Sequence, residues 1–82
     1  GIGRWYSQDK VDEALREFSD NGLPDILWTQ KALERVGYQV PATGMLDLAT
    51  RNVITAFQMH YRPKRYDGTP DAETLAILKA LP

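Results

Sequence analysis

Three of the chain's ten Lys and Arg residues fall within four positions of the segment His60-Tyr61-Arg62-Pro63-Lys64-Arg65-Tyr66. Guanidinium forks beside phenol rings can hold a carboxylate next to a weakly polar surface, which makes this loop a candidate receptor for an acidic ligand. A solvated turn whose cations balance the last carbonyls of a preceding helix accounts for the same residues, and both readings stand. Gln30 and Gln58 each sit in an otherwise apolar helical stripe, where a long amide is useful only if it bonds backbone groups or a ligand. Holding the connecting loops is the commoner use. Trp28 and the tyrosines have the spacing of core or boundary residues.

Other chemistry is thinly supplied. His60 is the single histidine and there is no cysteine, so neither a thiolate nucleophile nor a three-ligand catalytic zinc site is expected. At the end of a helix an imidazolium would suit the negative end of the dipole, which is reason enough for His60. Asp12-Glu13 and the Asp71/Glu73 pair read as a solvated face and a helix cap rather than as an acid and a base. No catalytic residue, metal ligand or cofactor is assigned to this chain.

The elements that must position these residues are helical. The 82 residues allow one small domain with a single core. From Lys10 to Phe18, apolar residues at Val11, Ala14, Leu15 and Phe18 follow the stripe of a short amphipathic helix, with Ser7 or Asp9 as its cap. Ser19-Asp20-Asn21-Gly22 then gathers turn residues, and the boundary of the compact module is placed there. Residues 1–22 are read as a linker with a short helix and residues 23–82 as the module. Its first helix is expected from Pro24 to Val36, with Ile26, Leu27, Leu33 and Val36 inward and Gly37 ending it. A second helix carries Val53, Ile54, Phe57 and Tyr61 and stops at Pro63. Leu75, Leu78 and Leu81 mark the buried side of a third.

Two of the connections repeat one another. Gly44-Met45-Leu46-Asp47-Leu48-Ala49-Thr50 and Gly68-Thr69-Pro70-Asp71-Ala72-Glu73-Thr74 share the form G-x-x-D-x-x-T at a step of 24 residues. Gly supplies a positive φ, Asp caps the helix by accepting an N–H two or three residues on, and Thr can return a hydrogen bond to the Asp backbone. Two loops adopting good capping chemistry independently would look the same.

The setting of the repeats resolves that ambiguity. Gln30, Leu33, Gly37-Tyr38, Gly44, Asp47, Thr50, Ala56-Phe57-Gln58, Gly68, Asp71, Thr74 and Leu78 occur in an order and spacing that resembles the peptidoglycan-binding domain over residues 23–82. The resemblance implies an all-α, three-helix bundle with Gly44, Asp47, Thr50, Phe57, Gly68, Asp71 and Thr74 as its framework. The run from Ala56 to Pro63, the Tyr66-x-Gly68 loop and the Asp71-Ala72-Glu73-Thr74 start are similar to the C-terminal domain of AmiD-like N-acetylmuramoyl-L-alanine amidases. Gly1-Ile2-Gly3-Arg4-Trp5 is similar to the segment that closes the catalytic domain in that family.

What the resemblance implies is a non-catalytic murein-binding module, the chain being a fragment of a zinc amidase of the bacterial envelope, periplasmic or outer-membrane associated. Peptidoglycan carries stem-peptide carboxylates and sugar faces, so Tyr61, Arg62, Lys64, Arg65 and Tyr66, with Gln30 and Gln58, are the candidate contacts. A monomer is expected. Three rivals are weighed against this. An enzyme in its own right lacks a nucleophile–base pair. A DNA-binding helix-turn-helix is disfavoured by the net charge of −1 and by acidic residues at both later helix starts. A protein-docking or structural domain of an envelope enzyme stays open. No apolar run has the length of a membrane span, and no membrane contact is expected.

Overall fold

A computed structural model describes residues 6–81 of the chain. The Gly1-Ile2-Gly3-Arg4-Trp5 likeness therefore lies outside the described residues. Four helices follow in order: α1 (Gln8–Asn21), α2 (Ile26–Arg35), α3 (Leu48–Tyr61) and α4 (Ala72–Ala80). The described residues contain no strand, and the all-α expectation holds.

The helix starts follow from capping chemistry. Asp25, Asp47 and Asp71, each in extended backbone, accept from the N–H of Trp28, Thr50 and Thr74 respectively. Asp25 corrects one expectation: with its carboxylate bonded to Trp28 N at 2.8 Å, α2 begins at Ile26 instead of at Pro24. The helix also closes one residue early, with Val36 as its C-cap. Helix α1 is longer at both ends than its apolar stripe, running through Ser19-Asp20-Asn21 to Gly22, whose N–H bonds Phe18 O. Ser7 is its N-cap residue, but no side-chain hydrogen bond forms there.

Packing is organised around α4. Leu75, Ala76, Ile77 and Leu78 are four consecutive buried residues, so the helix is covered around most of its circumference and leaves chiefly Glu73 and Lys79 to solvent. Helix α1 packs against α4, contributing Val11, Ala14 and Phe18 to the same core as Leu33, Ile54 and Phe57. Helix α2 packs on both α4 and α3. The short helix at the start is thus part of the folded body, not a free connector. Leu27, expected inside, is 37% exposed, because Thr29, Gln30, Ala32 and Leu33 take the inner face of α2. Arg35 fixes the end of the bundle: its guanidinium donates to Leu81 O at 2.8 Å and Leu78 O at 3.0 Å, satisfying carbonyls that α4 leaves without partners.

Candidate functional site

The two glutamines hold two copies of one device. Gln30, on α2, accepts from Gly44 N at 2.8 Å through Oε1 and donates through Nε2 to Thr50 Oγ1 at 2.8 Å and Met45 O at 3.1 Å. Gln58, on α3, accepts from Gly68 N at 2.9 Å and donates to Thr74 Oγ1 at 3.0 Å and Thr69 O at 2.8 Å. Both side chains are fully buried. Each amide therefore spends its capacity on the loop that leads into the next helix, and neither is open to a ligand.

This arrangement explains the repeat position by position. Gly44 and Gly68 have φ of 77° and 78°, a backbone conformation that turns their N–H groups towards the glutamine oxygens and is costly for any residue with a Cβ. Asp47 and Asp71 cap the helices. The threonine hydroxyl differs from expectation, because Thr50 and Thr74 turn inward to accept from the glutamine amides rather than back to the Asp backbone.

The loop after α3 is also organised internally. Arg62 is 8% exposed, and its Nη1 lies 2.9 Å from Asp71 Oδ2 and 3.1 Å from Glu73 Oε1. Its Nη2 donates to Arg65 O at 2.9 Å, while Nε is buried with no protein partner. Expected as an exposed cation, Arg62 is instead a buried tie between the end of α3 and the start of α4. Pro63 follows the helix end, and the guanidinium meets the carboxylates of the second cap, Asp71, and of Glu73 in the first turn of α4. Burial alone would lower the Arg62 pKa, but the hydrogen bonds that it donates to Glu73 and Asp71, and their charges, outweigh that and raise it above the ordinary arginine value. Burial would likewise raise the Asp71 carboxyl, yet hydrogen bonds from Thr74 and Arg62 and the guanidinium charge hold it below the ordinary range.

Lys64, Arg65 and Tyr66 remain on the surface. Lys64 approaches Glu73 at 3.9 Å and Arg65 approaches Asp67 at 3.2 Å, so each cation of the loop faces a carboxylate. Tyr66 is 53% exposed. Tyr61 is half-buried, its ring 4.7 Å from Phe57 and 6.4 Å from Tyr6, so it belongs largely to the core. The structure thus gathers Arg62, Lys64, Arg65 and Tyr66 in one loop and separates them from Gln30 and Gln58, which act inside the bundle. The ion pairing of Arg62 was missed from sequence. Its signal is the pair Asp71 and Glu73, two acids in register with one cation at the preceding helix end.

Among the described residues no group of three or more His, Cys, Asp or Glu side chains is placed to hold a metal ion. No helix among them is long and apolar enough to cross a membrane.

Comparison with known proteins bears on what such a bundle serves. A family model described as "Putative peptidoglycan binding domain" matches residues 22–78. The chain is 41% identical over 81 residues to N-acetylmuramoyl-L-alanine amidase AmiD of Escherichia coli (strain K12), covering 99% of this chain and 29% of that protein. It is similar to the crystal structure of AmpDH3 from Pseudomonas aeruginosa with a TM-score of 0.87 and 43% identity, over 99% of this chain and 32% of that one. The same TM-score of 0.87 and identity of 43% are found for AmpDH3 in complex with anhydromuramic pentapeptide, with 99% and 31% covered. This chain thus spans less than a third of the length of each of these relatives.

Proposed function

The chain belongs to the peptidoglycan binding domain family, whose model spans residues 22–78, and from that premise we propose that it holds murein non-covalently for an attached N-acetylmuramoyl-L-alanine amidase. The observation that carries the reading is the paired glutamine clasp. It builds, twice over, a helix–loop–helix frame from residues inside the span that the family model matches, and it spends both buried amides on the fold.

The mechanism is one of local concentration. A weak contact between this module and the wall makes the encounter of the tethered enzyme with its next bond partly intramolecular, so occupancy rises without a tighter active site. In this reading residues 23–82 are the wall-binding module, and residues 1–22 lead from a catalytic domain that carries the zinc and the catalytic residues. Because α1 packs on α4, the helix of that lead is part of the module's own core. The setting is the bacterial cell envelope, and the module acts as a monomer.

Contact with the wall falls to side chains that the fold does not consume. Lys64, Arg65 and Tyr66 are exposed on one loop and offer cations and a ring to a stem-peptide carboxylate and its neighbouring sugar. The test is twofold. The purified protein is incubated with muropeptides, with and without zinc, and no free stem peptide is expected. Sedimentation with purified sacculi is then compared between the parent and a Lys64→Ala/Arg65→Ala variant, at two salt concentrations. Weaker binding by the variant, and by the parent at higher salt as the screening length falls below ~10 Å, supports this contact. Release of stem peptide would overturn the non-catalytic reading, and unaltered binding by the variant would remove this loop from the interface.

A further inference from the structure

Three adjoining depressions form a furrow over α1, α4 and α2, and Trp28 lines two of them. The first, about 260 Å³, lies between α1 and α4 and is lined by Lys10, Glu13, Glu17 and Lys79. The second, about 270 Å³, shares Glu17 and Lys79 with the first and adds Phe18, Asn21, Leu23 and Trp28. The third, about 230 Å³, shares Trp28 with the second and continues along α2 to Lys31 and Arg35. Each is a little smaller than the ~300 Å³ at which sites for drug-sized ligands begin, which suits one ring-sized unit apiece. Shared lining residues make the first adjoin the second and the second adjoin the third, so neighbouring units of one ligand can occupy them.

We propose that this furrow is a track for successive N-acetylhexosamine rings of a glycan strand, with one ring seated against Trp28. The inference rests on the wall-binding reading and names a part of the polymer that it leaves open. Charge selects the occupant. In the first two depressions two ammonium groups face two carboxylates, and Lys79 is already paired with Glu17 and lies 5.8 Å from the centre of the Phe18 ring. Such a lining repels neither sign and rewards neither, so a neutral ligand bearing hydroxyl and amide groups fits it better than a charged peptide. Trp28 supplies a half-buried indole, held by its packing on the core, against which the C–H face of a sugar can lie. Exposed Asn21 and Glu17 beside it offer an amide and a carboxylate to sugar hydroxyls. In the third depression Arg35 is spent on the carbonyls of Leu78 and Leu81, which leaves Lys31 to donate to a hydroxyl or acetamido oxygen of the next ring.

The chain has two tryptophans, Trp5 and Trp28, so a Trp5→Phe protein reports on Trp28 alone. Its emission is followed during titration with a soluble linear N-acetylglucosamine tetramer and, separately, with a free stem tetrapeptide. A saturable change with the sugar and none with the peptide is expected. In sacculus sedimentation, Trp28→Ala and the surface variant Asn21→Ala, each first shown to keep the parent's circular dichroism, should bind about fivefold more weakly, the worth of one aromatic contact for the first and of one hydrogen bond for the second. If Trp28→Ala does not fold, Asn21→Ala and the emission titration decide. A parent that sediments with sacculi, yet shows no emission change with the tetramer or no loss in these variants, overturns the track while leaving wall binding in place. A parent that does not sediment overturns both.

Discussion

Gln58 Nε2 donates to Thr74 Oγ1 at 3.0 Å inside the bundle, in the same relation that Gln30 holds to Thr50 at 2.8 Å. Replacing Gln58 with Leu keeps the volume but leaves the buried Gly68 N–H without an acceptor and the Thr74 hydroxyl without its amide donor, while the Thr69 carbonyl keeps the Asp71 N–H at 2.8 Å. One such group left without a partner costs about 1–3 kcal/mol. The expected outcome for Gln58→Leu and Gln30→Leu is a loss of about 2 kcal/mol or more each, measured by urea unfolding. A variant as stable as the parent would mean the clasp contributes nothing.

Asp71 does more than Asp47. Both cap a helix by accepting from a threonine N–H at 2.9 Å, but Asp71 also meets Arg62 at 2.9 Å. Asp71→Ala should therefore cost about 1 kcal/mol for the cap and a further amount because the buried guanidinium is left with Glu73 as its one carboxylate partner. Asp47→Ala should cost less. Thermal melts of the two variants measured side by side give the order.

Acid should destabilise the protein through these same groups. Hydrogen bonds from Thr50 lower the Asp47 carboxyl, one from Thr69 lowers Asp67, and Asp71 is lowered as well. A carboxyl whose folded pKa lies below its unfolded value contributes stability that is complete above the unfolded value of about 4 and is lost as pH falls through the folded one. The melting temperature should be flat from pH 7 to pH 5 and fall below about pH 4. Asp71→Asn, which keeps an accepting oxygen for the cap, should lessen that fall.

Arg62 and its neighbours should separate cleanly. Removing a buried guanidinium that ties Asp71 and Glu73 should cost about 2–3 kcal/mol, towards the lower end for buried pairs because the carboxylates are part-exposed. Arg62→Lys should not restore it, since a single ammonium cannot reach both acids and the Arg65 carbonyl together. Lys64→Ala/Arg65→Ala should leave the unfolding free energy nearly unchanged, because exposed pairs contribute little. Chemical denaturation of all three variants is the measurement.

The two repeat glycines are not equivalent. A Cβ on Gly44 meets nothing within 4 Å, whereas one on Gly68 would lie 2.8 Å from Thr55 Oγ1 and 3.1 Å from the Arg51 carbonyl. Gly44→Ala should cost the ~1–2 kcal/mol of a left-handed residue, and Gly68→Ala distinctly more. Equal losses in urea unfolding would contradict the close approach.

The helices, both Asp caps and the repeat were legible because each is a local pattern: periodic apolar residues, a capping acid and a glycine at fixed spacing. What Thr50 and Thr74 bond was not, since their partners lie 20 and 16 residues away. The same holds for Arg62. A cation beside proline in a polar loop reads as solvent-facing, and only the return of α4 brings Asp71 and Glu73 to it. Helix α1 was legible as a helix but not as a core element, because the apolar stripe says that a face is buried without saying against what.

The account depends most on whether this chain itself holds murein. The direct measurement is sedimentation of the purified, folded protein with and without purified sacculi, in the presence of a chelator so that no catalytic metal takes part. Most of the protein should pellet with sacculi and remain in solution without them. A folded protein that stays in the supernatant at every sacculus load would contradict the proposal and leave the bundle as a docking or structural domain.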